Sequence, residues 1–176
     1  NKEIKSPKDM VGMKYRIPNL PIFEKNARAM GATPVVVAWS EYPFALMQGV
    51  VDGGECSKDS YRSAGLYESA KYVADVDYAY PVEQICFSTQ FWNSLSEEDQ
   101  KVISDAAAQV ASHHSERTLD KWEEDKEWLI NEGGVTFCDI DRQAFIDAAE
   151  PLGKELQDEG FFTTKDLYDQ TRQFNK

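Results

Sequence analysis

The stretch Met13–Trp39, MKYRIPNLPIFEKNARAMGATPVVVAW, decides the fold of this chain. Residues 13–17 alternate between apolar and charged side chains, a pattern typical of a strand with two different faces. Apolar residues then recur at helical spacing over 20–30, and the β-branched run that follows predicts a buried strand over 33–39. Because a helix separates the two strands, they are expected to run parallel, and the sequence predicts an α/β sheet.

Single residues mark the ends of these elements. Pro18 ends the first strand because it has no N–H to donate to the ladder. Asn19 is the predicted N-cap of the helix, and Gly31 is its predicted stop. Ser40 is the predicted N-cap of a second helix over 41–48.

The rest of the chain mixes strands and helices. Asp141 is predicted to cap the first of two C-terminal helices, and Pro151 to mark a kink or break in it. Before the long helix, the patterns predict a third strand over 50–55, one or two short helices over 58–70, and extended segments over 71–81 and 82–89. After it, they predict a further strand over 134–140 and the two C-terminal helices over 142–160 and 163–174.

The clearest single element is a long helix. Ser96 followed by three acidic residues is typical of a helix start, and no helix breaker occurs before Gly133. A helix of about 36 residues is about 54 Å long, which exceeds the width of one small domain. The segment is too charged to cross a membrane, so the sequence predicts a helix that lies across two lobes.

Composition argues against two classes of partner. The chain has 176 residues and a net charge of −12, so it lacks the basic surface that nucleic acids and anionic membranes attract. No apolar run approaches the roughly 20 residues of a membrane span. The opening residues, NKEIKSPKDM, have the composition of a linker, so the chain is expected to begin inside a longer sequence.

Neither a cofactor nor a metal site is predicted. The three cysteines, Cys56, Cys86 and Cys138, match no zinc-binding spacing, and their odd number leaves at least one thiol free or paired outside this chain. The only histidines, His113 and His114, are adjacent, whereas two metal ligands on one helix need i, i+4 spacing.

Four residues form the candidate binding site, because ligands bind beyond the carboxyl ends of the strands in open parallel sheets. Arg16 ends the first strand, Trp39 ends the second, and Glu55 and Cys56 follow the third. Arginine matches a carboxylate with a planar fork of donors and tryptophan adds an apolar wall, a combination suited to a small organic anion. Each residue alone has a structural alternative: a surface arginine, a core tryptophan, and a turn with an inert thiol.

Three segments of the sequence resemble the solute-binding proteins of tripartite ATP-independent periplasmic (TRAP) transporters, of the C4-dicarboxylate-binding (DctP) type. They are DMVGMKYRIP, AMGATPVVVAWSEYPFALMQGVVDGGE and FWNSLSEEDQKVISDAA, and the resemblance covers nearly the whole chain in order. It implies an α/β fold of the periplasmic solute-binding type, with a parallel or mixed sheet flanked by helices and one long helix spanning two lobes. The strands of the N-terminal lobe are missing, so the chain resembles the C-terminal part of a two-lobed receptor.

The resemblance also implies roles for the candidate residues. Arg16 corresponds to the family's arginine that pairs with the ligand carboxylate. Trp39 lies where the family has an aromatic residue at the ligand, often phenylalanine. Cys56 stands where many members have an asparagine that contacts the ligand, and is therefore a departure from the family pattern.

The implied function is a periplasmic receptor that delivers a small carboxylate to a membrane permease, with no catalysis and no cofactor. Its implied partners are the carboxylate ligand, the permease subunits of a TRAP transporter and the missing N-terminal lobe, but no nucleic acid. Two alternatives stay open: an enzyme with Cys56 as nucleophile and a histidine base, and a non-catalytic structural helical module. The chain is expected to divide into three parts. Residues 1–95 form an α/β ligand-binding lobe, 96–133 a long inter-lobe helix, and 134–176 a C-terminal strand and helices that complete the lobes.

Overall fold

The computed structural model describes residues 2–77, 79 and 84–174 and divides into two compact units. Unit 1 consists of Asn1–Val76 with Leu129–Lys176, and unit 2 of Asp77–Trp128. The strands are β1 (Lys14–Ile17), β2 (Thr33–Val36), β3 (Gly53–Gly54), β4 (Tyr72–Val73) and β5 (Thr136–Phe137). The helices are α1 (Pro7–Met10), α2 (Pro21–Ala29), α3 (Tyr42–Met47), α4 (Lys58–Ser63), α5 (Thr89–Ser94), α6 (Glu97–Asn131), α7 (Arg142–Asp158) and α8 (Leu167–Arg172).

The main sheet of unit 1 has the strand order β2-β1-β3, and both pairings are parallel. This confirms the parallel α/β sheet predicted from the sequence. Arg16 on the central strand is in register with Val35 on one side and Gly54 on the other. A second sheet pairs β4 with β5, also in parallel.

The second strand is shorter and more exposed than predicted. It ends at Val36, whose exposed fraction is 57%, and Trp39 begins a separate 3₁₀ turn, Trp39–Glu41. The prediction of a buried strand over 33–39 is therefore wrong, because β2 lies at one edge of the sheet that the described residues form. The N–H groups of Thr33 and Val37 donate to the carbonyls of Met13 and Ile17, at the two ends of β1. Because alternate residues of a strand direct their N–H groups to opposite sides, the backbone nitrogen of Pro34 faces away from β1.

Two predicted helix caps are wrong by one residue. Leu20, not Asn19, is the N-cap of α2, since Pro21 suits the first helical position, where no N–H is needed. Ser40 lies inside the turn Trp39–Glu41, and α3 starts after Glu41. Gly31 follows α2 with φ +85°, as expected for a helix stop.

Unit 1 contains a cluster of buried apolar side chains. Its buried members are Ile4, Met10, Met30, Ala32 and Phe145. Tyr15 of β1 packs against this cluster, and successive side chains on a strand point to opposite faces. Arg16 is therefore directed away from the cluster, as the alternation in the sequence predicts.

Helix α7 is continuous through Pro151, so this residue does not break the helix, and the alternative of a kink stays a prediction. Phe145 and Leu156 lie on either side of Pro151 and are both buried, so packing holds both halves of the helix. The predicted cap is confirmed, because Asp141 Oδ1 accepts a hydrogen bond from the N–H of Ala144 at 3.1 Å.

The long helix is present as α6, with 35 residues. Its predicted start is confirmed, because Ser96 Oγ accepts a hydrogen bond from the N–H of Asp99 at 3.1 Å. The helix is about 52 Å long at 1.5 Å per residue. Among the described residues, no helix combines the length and apolar character needed to cross a membrane. The division into three parts at 95/96 and 133/134 stays a prediction.

The extended segments predicted over 71–81 and 82–89 are only partly described. Within them the structure contains β4, and α5 begins at Thr89. Residues 78 and 80–83 lie outside the described residues.

Candidate functional site

Arg16 is the centre of the candidate site and is buried, with an exposed fraction of 4%. Its Nε donates a hydrogen bond to the backbone carbonyl of Val37 at 2.9 Å, and its Nη1 donates to Glu55 Oε1 at 2.9 Å. A solvated surface arginine, the structural alternative that the sequence left open, is therefore excluded. The strand order explains the two bonds, since Val37 follows β2 and Glu55 follows β3, the two neighbours of β1.

Two aromatic rings lie against the Arg16 guanidinium. Its Cζ is 5.5 Å from the ring centroid of Trp39 and 5.1 Å from that of Tyr42. The two rings are 5.9 Å apart and tilted by 55°. A desolvated cation over an aromatic face gains about 2 kcal/mol, so the rings stabilise the charge that burial would otherwise disfavour. Trp39 keeps 42% of its surface exposed, which leaves an aromatic face beside the arginine.

Gly54 makes room for this arrangement. A Cβ atom at Gly54 would lie 2.5 Å from Tyr42 Oη and 2.7 Å from Arg16 Cβ. Both distances are shorter than van der Waals contact, so any side chain here would displace the arginine or the tyrosine. Gly54, the second glycine of the pair that the sequence presents as a turn signal, is thus also a steric requirement of the site.

The residues after β3 complete the site. The Glu55 side chain is 16% exposed and forms the ion pair with Arg16. Cys56 is half-buried and forms no disulfide. Burial raises the pKa of the Tyr42 hydroxyl far above its ordinary value, and the nearby Cys56 adds to the shift. Burial and Cys56 raise the pKa of Tyr61 in the same way, so both hydroxyls are neutral near pH 7.

Part of the guanidinium stays available to a ligand. Arginine has five N–H donors, and the bonds to Val37 and Glu55 use one on Nε and one on Nη1. Within the described part of the chain, Nη2 donates to no residue, and no side-chain nitrogen or oxygen there is both fully buried and unpaired. Nη2 therefore keeps access to solvent. A fixed cation with open donors beside an aromatic face can bind a small organic anion.

The structure places the four predicted site residues at the carboxyl ends of the strands of the main sheet. Arg16 contacts both Trp39 and Glu55, and Cys56 follows Glu55 in the chain. Sequence reasoning missed Tyr42 and the steric role of Gly54. The available signals were the spacing of three residues between Trp39 and Tyr42, which brings their side chains together in a helical turn, and the strand ladder that pairs Gly54 with Arg16.

Two other features of the molecule do not belong to this site. Among the described residues, no three or more His, Cys, Asp or Glu side chains are grouped so that they could hold a metal. Unit 2 has a shallow groove of about 370 Å³, whose lining residues are Ile85, Phe87, Thr89, Trp92, Ile103, Ser104 and Ala107. None of these is a predicted site residue.

Comparison with known proteins identifies the family. The family model for bacterial extracellular solute-binding proteins, family 7 (DctP), matches residues 1–159. A solute-binding protein of Roseobacter denitrificans is 35% identical over 147 residues, which are 84% of this chain and 45% of that protein.

Two solved TRAP periplasmic solute-binding proteins share the fold. The protein from Ochrobacterium anthropi, with bound L-fuconate, matches with a TM-score of 0.85 and 33% identity, over 97% of this chain and 55% of that one. The protein from R. denitrificans, with bound L-galactonate, matches with a TM-score of 0.85 and 30% identity, over 99% of this chain and 56% of that one. The chain thus spans about half the length of these relatives. Since the family model matches nearly all of its residues, this chain belongs to the bacterial extracellular solute-binding proteins of family 7, the DctP family.

Proposed function

We propose that this chain is part of a periplasmic receptor that binds a small organic acid and delivers it to a TRAP-type permease. The observation that carries the proposal is the buried Arg16, whose guanidinium is held by Val37 and Glu55 and retains open donors. A carboxylate oxygen on Nη2 would gain a charge-assisted hydrogen bond, which is about twice as strong as a neutral one. The exposed face of Trp39 would form the apolar side of the same site.

We propose a sugar acid as the ligand class. L-fuconate and L-galactonate, the ligands of the two solved relatives, each carry one carboxylate and several hydroxyl groups. One cation beside one aromatic face suits such a molecule, because the carboxylate can pair with Arg16 while a C–H face of the carbon chain packs on Trp39. The rest of the site would come from the half of the receptor that this chain does not span.

A thiol enzyme is the less favoured function. A nucleophilic thiol needs a base within hydrogen-bond reach. Tyr42 and Tyr61 lie close enough to Cys56 to interact with it electrostatically, and burial raises the pKa of both hydroxyls. A neutral phenol accepts no proton from a thiol near pH 7, so neither tyrosine is the base that a thiol enzyme would need.

The other half of the receptor is the proposed partner of unit 2. Trp122 is the one buried apolar side chain among the unit 2 residues whose burial is described, while large apolar side chains are exposed, namely Ile85, Phe87, Phe91, Val102 and Val110. Exposed apolar patches mark surfaces that another body covers. Since the chain spans about half the length of its relatives, we propose that the remaining half covers this face. A purely helical structural module would not account for the Arg16 site.

Thermal melting of the full-length receptor tests the proposed function. A ligand at 100 times its dissociation constant adds about 2.7 kcal/mol of stability, which raises the melting temperature by several degrees. We expect this rise with L-fuconate or L-galactonate, and none with neutral L-fucose as the matched control. Equal shifts with the acid and the neutral sugar, or no shift with any carboxylate of a broad panel, would overturn the proposal.

Cys56 provides a second test, because it follows Glu55 directly and is half-buried. We expect a saturating acid ligand to slow alkylation of this thiol in the full-length receptor. Cys138 is half-buried too, and it serves as the internal control whose labelling rate should not change. Peptide mass spectrometry resolves the two sites, and equal rates at Cys56 with and without ligand would contradict its place beside the ligand.

A further inference from the structure

We infer that Glu55 is a positioning residue for Arg16, an inference that rests on the proposed function and adds a role to it. In this role the Glu55 carboxylate does not contact the ligand. It holds Nη1 so that the open donors of the guanidinium, Nη2 included, point at the ligand carboxylate. The observation behind the inference is the bond from Nη1 to Glu55 Oε1, at 2.9 Å and largely shielded from solvent.

The backbone that carries Glu55 is fixed to the strand that carries Arg16. Gly54, the residue before Glu55, is in register with Arg16. Two residues earlier in each chain segment, the N–H of Asp52 donates to the carbonyl of Lys14, and the Asp52 carboxylate accepts from the N–H of Lys14, both at 2.8 Å. The backbone that carries the Glu55 side chain is therefore held firmly against β1, as a positioning residue requires.

Orientation is what this ion pair can supply. A buried ion pair adds little net stability, because desolvation of both charges offsets their attraction. A long side chain that is already held in its binding geometry, however, loses less freedom when a ligand arrives. Val37 fixes Nε, Glu55 fixes Nη1, and the Trp39 and Tyr42 rings flank the guanidinium. The ligand then meets a donor whose direction is set beforehand.

Two other roles for Glu55 make different predictions. As a competitor, Glu55 would occupy Arg16 until a ligand carboxylate displaces it, so its removal would strengthen binding. As a direct ligand contact, Glu55 would contribute to affinity even in the absence of Arg16. The open Nη2 favours positioning, since a carboxylate can reach this donor while the bond from Nη1 to Glu55 stays intact.

Three substitutions at Glu55 separate length from charge. Glu55→Gln keeps an acceptor oxygen at the same reach and loses the charge, whereas Glu55→Asp keeps the charge and shortens the side chain by one methylene. If Glu55 acts by position, Glu55→Gln should bind the best acid of the panel within about threefold of the parent. Glu55→Asp and Glu55→Ala should each bind about tenfold more weakly, which corresponds to about 1.4 kcal/mol. Glu155→Ala is the matched control, because it breaks the exposed ion pair with Lys25 on α2, and its affinity should equal that of the parent.

A double-mutant cycle completes the test. Isothermal titration of Arg16→Ala and Arg16→Ala with Glu55→Ala should give equal affinities, because Glu55 acts only through the arginine. Tighter binding by Glu55→Ala or Glu55→Gln establishes the competitor role instead, and a further loss in the Arg16→Ala background establishes direct contact; either result overturns the inference. A parent receptor that binds no acid overturns the proposed function as well. Melting temperatures of all variants identify any that are unfolded, and Glu55→Asp, the smaller change, then replaces Glu55→Ala in the cycle.

Discussion

Replacing Arg16 with alanine in the full-length receptor should weaken binding of its best acid ligand about thirtyfold or more. The basis is the buried guanidinium, which is paired with Glu55 and flanked by two aromatic rings. Truncating one partner of a desolvated charge pair costs about 2–5 kcal/mol of affinity, and about 1.4 kcal/mol corresponds to a factor of ten. Arg16→Lys keeps the charge and loses the planar fork, so it should recover only part of the affinity.

Titration calorimetry of the parent and both variants measures this effect. Arg28→Ala is the matched control, because Arg28 on α2 is exposed and pairs with Glu24 one helical turn away. An exposed pair of this kind is worth at most about 1 kcal/mol, and Arg28 is not in the candidate site, so the control should bind like the parent. If Arg16→Ala also binds within about threefold of the parent, the carboxylate does not pair with Arg16, and the proposed site is wrong.

Gly54→Ala should reduce both the stability of the receptor and its affinity for the acid. The added methyl group would lie 2.5 Å from Tyr42 Oη and 2.7 Å from Arg16 Cβ. Overpacking at a filled site costs about 1–3 kcal/mol, and relief of this contact requires movement of the arginine or of the buried tyrosine. We therefore expect a lower urea midpoint together with an affinity loss of about tenfold or more, as the anchor leaves its binding geometry.

The neighbouring glycine offers a control within the same strand. A Cβ at Gly53 would meet Met13 Cε at 3.4 Å, an ordinary contact, so Gly53→Ala should unfold at nearly the same urea concentration as the parent. Adding Tyr42→Phe to Gly54→Ala removes the nearest oxygen and should restore part of the stability. Equal urea midpoints for Gly53→Ala and Gly54→Ala would mean that the packing around Gly54 yields easily, contrary to our expectation.

The main features of the fold could be predicted from local patterns. The alternation over 13–17 and the helical spacing over 20–30 depend on residues close in sequence, and the structure contains both elements. Errors occurred where packing decides the outcome. Pro151 is a helix breaker by its own chemistry, yet α7 continues because buried residues anchor both sides of it.

The candidate site was predictable in position but not in its contacts. The rule that ligands bind at strand ends located Arg16 and Glu55, which are 39 positions apart in the chain. Their ion pair depends on the register that sets Arg16 beside Gly54, and a single sequence does not specify that register. Tyr42 was missed for a related reason: its ring lies 5.1 Å from Arg16 Cζ across the fold, and it follows a 3₁₀ turn, Trp39–Glu41, that the sequence did not predict.

Pro34 lies in β2, an edge strand of the sheet that the described residues form, and it affects how readily that edge pairs with another chain. An edge strand can recruit a foreign strand, which is one origin of aggregation. Recruitment requires outward N–H groups at alternate positions, and Pro34, whose nitrogen faces away from β1, has no hydrogen to offer. Replacing Pro34 with any residue that has a backbone N–H would give this edge strand one more outward donor for a foreign strand. In the sheet that the described residues form, the proline thus disfavours pairing of the exposed side of β2 with another chain.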